Sequence, residues 1–195
     1  MMTYFTTLGT ENGVNSLDTN PCNLLDFQLV VLANNETISG STGDKEVLAV
    51  ILGGKATFMV GDASFKNLGS RPNVFSGKPT SVYMPQGTDY TIAGVGNIEI
   101  ALCSAPSDLE TDPYVISPEQ VVNGRWGAAN FSRNFHQILT ADGQPDLPAR
   151  RLIVGETFTP SGNWSTYPAH KHETDEGGEA FHEEMYFFKV TPDNG

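Results

Sequence analysis

The chain has 195 residues, 38% hydrophobic and 17% charged, with a formal net charge of −12 and a pI near 4.5. That length gives room for one large or two small cores, and the composition excludes extended disorder. An acidic surface repels a phosphate backbone and no apolar run approaches the roughly 20 residues that cross a bilayer, so neither nucleic acid nor membrane is an expected partner.

The opening MMTYFTTLGTENG has no basic region and no long apolar run, so no signal peptide is expected. Cys22 and Cys103, far apart and without CxxC spacing, suit free thiols in a reducing cytoplasm. Residues 1–23 are polar and read as a lead-in. Short strands follow: FQLVVLA at 27–33, EVLAVIL at 46–52, KATFMV at 55–60, TSVYMP at 80–85, YTIA at 90–93 and IEIALCSA at 98–105. Asn34-Asn35, Thr42-Gly43-Asp44, Gly53-Gly54, Gly61-Asp62 and Gly94-Val95-Gly96 supply the turns. This spacing predicts an all-β antiparallel sandwich or barrel.

Residues 106–130 interrupt the rhythm with Pro106, Pro113 and Pro118 and read as a connector. Within them Ser117-Pro118-Glu119 signals a short helix that Gly124 would stop. SRNFHQIL at 132–139 and RRLIVGETFTP at 151–160 resume strand patterning. A further strand is expected over Met185-Tyr186-Phe187-Phe188, then a Pro-Asp-Asn-Gly turn at 192–195. Residues 131–195 thus read as a second β-unit that has begun and not finished.

Glu46, followed after six residues by Gly53, and Pro85-x-Gly87-x-x-Tyr90 are pieces of the two cupin barrel motifs. No histidine precedes Glu46, and Tyr90 stands where the last imidazole would, so 24–105 reads as a degenerate cupin barrel without metal ligands. Glu46 is expected to be a solvated carboxylate at a strand start. The chemistry gathers further on, where three of the four histidines, His170, His172 and His182, fall within thirteen residues. On a strand, side chains at i and i+2 share a face, so His170 and His172 can present two imidazoles together. With a carboxylate added, they read as an open metal centre. Eleven residues, including the acidic, Gly-rich insert, separate His172 from Glu184. Alternation puts Glu184 with Tyr186 and Phe188 and Glu183 with Met185 and Phe187, and Glu184 is the ligand favoured. His182 reads as a solvated histidine with a spare-ligand alternative. Lys171, Arg133 and His136 read by default as solvated basic residues, and Trp164, Tyr167 and Phe181 as barrel-wall or rim aromatics.

At PSGNWSTYPAHKH, the acidic insert and EEMYFF, the chain resembles the 5-deoxy-glucuronate isomerase family of bacterial myo-inositol catabolism, related to the 4-deoxy-5-keto-uronate isomerases of pectin breakdown. The likeness extends to LGGKATFMVGDASFKNLGSRPNVFSGKPTSVYMPQGT and to SRNFHQIL, covering nearly all of the chain from about residue 27. It implies a bicupin of RmlC-like jelly rolls whose second barrel, incomplete here, holds zinc or manganese. By motif match His170, His172 and Glu184 are the metal ligands. Arg133, matching the family's Asn-x-x-Arg stretch, grips the substrate carboxylate, because a guanidinium can bind it bidentately.

The implied activity is the aldose–ketose isomerisation of 5-deoxy-D-glucuronate to 5-dehydro-2-deoxy-D-gluconate, with a homo-oligomer as an open option. Glu183 and Lys171 are candidates for moving the proton between C2 and C1. Family members run further and take a fourth, histidine ligand from a late strand. The expectation is therefore a C-terminally truncated form, inactive by itself and a poor metal binder. Two other readings stay open: a 2-His-1-carboxylate iron oxygenase, and a non-catalytic sugar-binding cupin.

Overall fold

The computed structural model describes residues 5–192. Its strands are β1 (Gly13–Ser16), β2 (Asp26–Leu32), β3 (Thr37–Ser41), β4 (Lys45–Gly53), β5 (Ala56–Val60), β6 (Ala63–Leu68), β7 (Ser81–Met84), β8 (Asp89–Gly94), β9 (Ile98–Pro106), β10 (Tyr114–Ile116), β11 (Val122–Trp126), β12 (Arg133–Leu139) and β13 (Val154–Phe158). They form a six-stranded sheet in the order β1-β2-β9-β4-β7-β10, a four-stranded sheet β3-β8-β5-β6 and a three-stranded sheet β11-β12-β13. Every pairing among them is antiparallel.

The six-stranded sheet is buried on both faces, which is why β4 is an unbroken apolar run instead of an alternating one. Val47, Ala49 and Ile51 point into a first core, against Phe58, Val60 and Ile92 of the four-stranded sheet. Leu48, Val50 and Leu52 point the other way, into a second core with Leu29, Tyr83 and Ile116. That second core is completed by Val121, Ile138, Leu139 and Leu152, which belong to the later part of the chain. Each such fully buried aliphatic side chain contributes about 1.5–3 kcal/mol of burial free energy. At the turn after β4, Gly54 sits at φ +90°, and a Cβ there would come 2.2 Å from the Asn97 carbonyl oxygen. Only glycine fits that corner.

Several segments differ from the sequence expectation. The lead-in carries β1, which pairs with β2 from Gly13↔Val31 to Ser16↔Gln28. The connector carries β10 and β11, one in each of two sheets. The helix expected after Ser117 is a single turn, closed by Gln120 N donating to Ser117 O (3.0 Å) and Ser117 N donating to Gln120 Oε1 (2.9 Å). Val121 is then drawn into the second core and β11 begins, so the turn cannot propagate. The run Met185–Phe188, expected as a strand, joins no ladder among the described residues. The turn expected at 192–195 lies, from Asp193 onward, outside the described residues, as do residues 1–4 of the lead-in. No helix among those described is long and apolar enough to cross a membrane.

Candidate functional site

From 159 to 192 the chain runs as a strap without sheet pairing, held by side chains and by Trp164 N donating to Asn130 O at 2.8 Å. Both oxygens of Glu183 are engaged by the first part of the chain. Asn23 N (2.9 Å), Leu24 N (2.7 Å) and Leu25 N (3.0 Å) all donate to its carboxylate. Three amides hold this carboxyl below its ordinary range, although the little burial it has works in the other direction. Phe187 packs on Phe27 with ring centroids 5.2 Å apart, and Lys189 Nζ meets Glu99 Oε2 at 2.5 Å. Positions 183, 187 and 189 thus fasten one edge of the strap. The other edge, with Tyr186, Phe188 and Val190, is exposed.

Glu184 belongs to that free edge. Its Oε1 lies 3.8 Å from His172 Nε2 and accepts from the Tyr186 hydroxyl at 3.2 Å. Burial and the Glu184 carboxylate raise the Tyr186 phenol above its ordinary value, opposed by the positive charge of Arg133. The strap places His170 and His172 without a strand to align them, yet their rings come within 4.9 Å, nearly perpendicular. His182 joins them, its ring 5.0 Å from that of His172 and its N–H donating to His172 O at 3.2 Å. Three imidazoles and a carboxylate are a donor set whose chemistry suits zinc or manganese. Among the described residues no three of these donors share one coordination point.

Arg133 opens β12 opposite Trp126, its Cζ 5.3 Å from the indole centroid. Among the described residues no carboxylate is within ion-pair reach of it. Lys171 points outward and pairs with Glu173 at 3.0 Å. Trp164, Tyr167 and Phe181 are all exposed, and Tyr167 also tilts against Phe131, with centroids 5.4 Å apart.

Two groups of residues differ from their sequence reading. Glu46, expected in solvent, is 0% exposed. It accepts from Arg150 N (2.8 Å), Arg151 N (2.6 Å), Leu152 N (2.9 Å) and the Tyr83 hydroxyl (2.6 Å). Burial and that bond to Glu46 push the Tyr83 phenol up, so its proton stays in place. His136, expected in solvent, is instead half-buried beside Glu156, with Nδ1 3.0 Å from Oε2. Arg71, 3% exposed, completes the group with bonds of 3.0 and 2.5 Å to the two Glu156 oxygens and reaches Ile51 O and Gly77 O as well. Burial opposes ionisation of Glu156, but the His136 and Arg71 bonds and charges prevail and lower its pKa. These residues tie β13 to the six-stranded sheet. Glu46 and Glu156 gave only a polar letter in an apolar stretch as a signal, and Arg71 gave none.

Two antiparallel sheets closed on one core, followed by a sheet and strap that gather a His-x-His and a glutamate, define a cupin. The chain belongs to the KduI/IolB family, whose family model matches residues 8–195. It is similar to the 5-deoxy-glucuronate isomerase of Geobacillus kaustophilus (strain HTA426), 37% identical over 171 residues that make up 87% of this chain and 60% of that protein. It is similar also to those of Shouchella clausii (strain KSM-K16), 37% identical over 90% of this chain and 64% of the relative, and of Bacillus subtilis (strain 168), 35% identical over 88% and 63%. The chain therefore spans somewhat over half the length of these relatives, from 60% to 64%. Among solved structures, an IolB-like protein from Salmonella typhimurium LT2 superposes with a TM-score of 0.81 at 30% identity, covering 90% of this chain and 67% of that one.

Proposed function

We propose that this chain provides the metal-binding and substrate-gripping part of an aldose–ketose isomerase that converts 5-deoxy-D-glucuronate to 5-dehydro-2-deoxy-D-gluconate in cytoplasmic myo-inositol catabolism. The observation that carries the reading is the gathering of His170, His172 and Glu184 with Tyr186, near Arg133, which has no carboxylate partner among the described residues. That the relatives are named 5-deoxy-glucuronate isomerase supports the substrate and the isomerase class. In this reading residues 24–105 are a jelly roll without ligands, and residues 131–195 are the ligand-bearing unit.

His170, His172 and Glu184 would hold the zinc or manganese, with His182 beside them. A divalent ion bound there supplies Lewis acidity toward the sugar's carbonyl oxygen. Arg133 binds the substrate carboxylate through its in-plane N–H groups. Tyr186 keeps its proton and donates to Glu184 Oε1, which orients that carboxylate toward His172. Glu183 takes a fastening role in place of the proton-moving role expected from sequence, because both its oxygens already accept backbone amides. The Lys171 ammonium, turned outward onto Glu173, is likewise set apart from the proton transfer.

The test is metal content by mass spectrometry alongside conversion of 5-deoxy-glucuronate followed by NMR. His170→Ala and His172→Ala are each expected to lose bound metal and turnover together. Stoichiometric metal in the double variant would overturn the ligand assignment.

A further inference from the structure

The interior of the first jelly roll is apolar along most of its length and polar at one end. Register across the six-stranded sheet lines up Val30, Ile100 and Ile51, then Gln28, Leu102 and Ala49, then Asp26, Ser104 and Val47. Partners in register share a face, and the six apolar residues of these rows all belong to the first core. Gln28, Asp26 and Ser104 therefore point to the same side, and Lys45, two residues before Val47, carries that face to the rim. From the four-stranded sheet Tyr90 leans in opposite Gly40. A Cβ at 40 would stand 2.7 Å from the Tyr90 hydroxyl oxygen, so it is the bare glycine that lets the ring lie across β3.

These side chains surround a cavity of about 280 Å³, with Val47 and Leu102 as its apolar lining. That is just under the roughly 300–1,000 Å³ of drug-sized ligand pockets and suits a molecule of monosaccharide size or smaller. Among the described residues the Tyr90 and Ser104 hydroxyls have no hydrogen-bond partner, and Gln28, whose Nε2 donates to Ser16 Oγ at 3.0 Å, has none for its carbonyl oxygen. Burial raises the Tyr90 phenol above its ordinary value, so its proton stays available for donation. Lys45 Nζ and Asp26 Oδ2, 3.2 Å apart, neutralise one another. A hydroxyl group both donates and accepts, which matches a phenol, an alcohol, an amide oxygen and a neutralised ion pair together. A carboxylate would instead bring its charge against Asp26 and against Asp44 at the rim.

We propose that the mouth of the first jelly roll, between Tyr90, Ser104, Gln28 and the Asp26–Lys45 pair, is a binding site for a small neutral polyol. The carbon chain of the polyol rests on Val47 and Leu102, and its hydroxyls exchange hydrogen bonds with the polar groups around them. Such a molecule has neither the carbonyl nor the carboxylate of the isomerase substrate, so this site stands or falls apart from that reading.

The experiment titrates D-sorbitol and D-gluconate, chains of equal length that differ by a terminal carboxylate, into the full chain in EDTA, followed by amide NMR. Sorbitol is expected to shift the amides of Tyr90 and Ser104 and to bind at least tenfold more tightly than gluconate. Tyr90→Phe, which keeps the ring over Gly40, and Ser104→Ala should each weaken sorbitol at least threefold. Asp26→Asn keeps an oxygen for the Phe27 amide but leaves the Lys45 ammonium without its counter-charge. It should raise gluconate affinity at least tenfold and reverse the preference. Circular dichroism checks that each variant is folded.

Absence of saturable sorbitol binding, shifts confined to the three-stranded sheet, or a parent chain that binds gluconate as tightly as sorbitol would each overturn the proposal. Unchanged sorbitol affinity in folded Tyr90→Phe and Ser104→Ala would do the same. Loss of sorbitol affinity in Tyr90→Phe, with metal content as in the parent, would support a site separate from His170, His172 and Glu184.

Discussion

Replacing Glu46 tests whether one buried carboxylate joins the two parts of the chain. It receives four donors from two places: Tyr83 within the six-stranded sheet, and the consecutive amides of Arg150, Arg151 and Leu152 just before β13. Glu46→Ala strands all four. The Arg150 and Arg151 amides are only partly buried and can turn to water, whereas Leu152 N and the Tyr83 hydroxyl lie in the interior. Two stranded buried donors at about 1–3 kcal/mol each, plus about 1 kcal/mol for the void, give a loss of roughly 3–7 kcal/mol. For a chain of this length each kcal/mol shifts the melting temperature by about 2–4 °C.

Glu46→Gln is the sharper variant. The Tyr83 hydroxyl can rotate and accept from the new Nε2, so only the Arg150 amide faces a donor, and the cost falls to about 1–3 kcal/mol. Denaturant unfolding followed by circular dichroism gives the magnitude, and hydrogen exchange gives the place. Protection should fall at 150–152 while the pairing of β2 with β9 keeps its own. A Glu46→Ala protein within about 1 kcal/mol of the parent, with 150–152 still protected, would refute the reasoning.

Glu156, with its pKa below the ordinary 4.5, binds its proton less readily folded than unfolded. Its stabilising contribution is therefore complete above pH 4.5 and is lost as pH falls through the lower folded value. Stability measured from pH 6 to pH 3 should fall less steeply in Glu156→Gln than in the parent, and parallel curves would exclude the carboxylate as the acid-sensitive tie. Glu183→Ala releases the amides of Asn23, Leu24 and Leu25, so their exchange should quicken while that of Ile100 is unchanged. Since Glu183 fastens the strap next to Glu184, metal retention should weaken several-fold in the same variant, and unaltered retention would show the strap to be held elsewhere. For Arg71→Lys, loss of the bidentate grip on Glu156 should lower stability by about 2 kcal/mol or more, read by chemical denaturation.

The strands that could be read from sequence alone and those that could not differ in their place in the sheets. β2, β4, β5, β7, β8, β9 and β12 have a neighbour on each side and were visible as apolar or alternating runs between turns. β1, β3, β6, β10 and β11 were not visible, and every one is an edge strand; of the edges only β13 showed, through the apolar start of RRLIVGETFTP. An edge has a ladder on one side only and meets water on the other, so TISGS in β3 and ASFKNL in β6 carry the polar letters of a loop. Met185–Phe188 misled in the opposite direction: its aromatics read as a strand, but one edge packs on Phe27 while the other faces out without a ladder. In the candidate site, His170 and His172 were legible because their spacing is local. The Arg71–Glu156–His136 group was not, because partners 85 and 20 residues apart meet only once the sheets have stacked.

The doubly covered β4 makes the six-stranded sheet a party wall. Neighbouring residues such as Leu48 and Ala49 answer to different rooms, so a one-residue slip in that strand would exchange the two sets of side chains and spoil both interiors at once. The first jelly roll is therefore not a dispensable appendage. Ile138, Leu139 and Leu152 rest on its outer surface, and whatever the later part of the chain does begins from how squarely that wall stands.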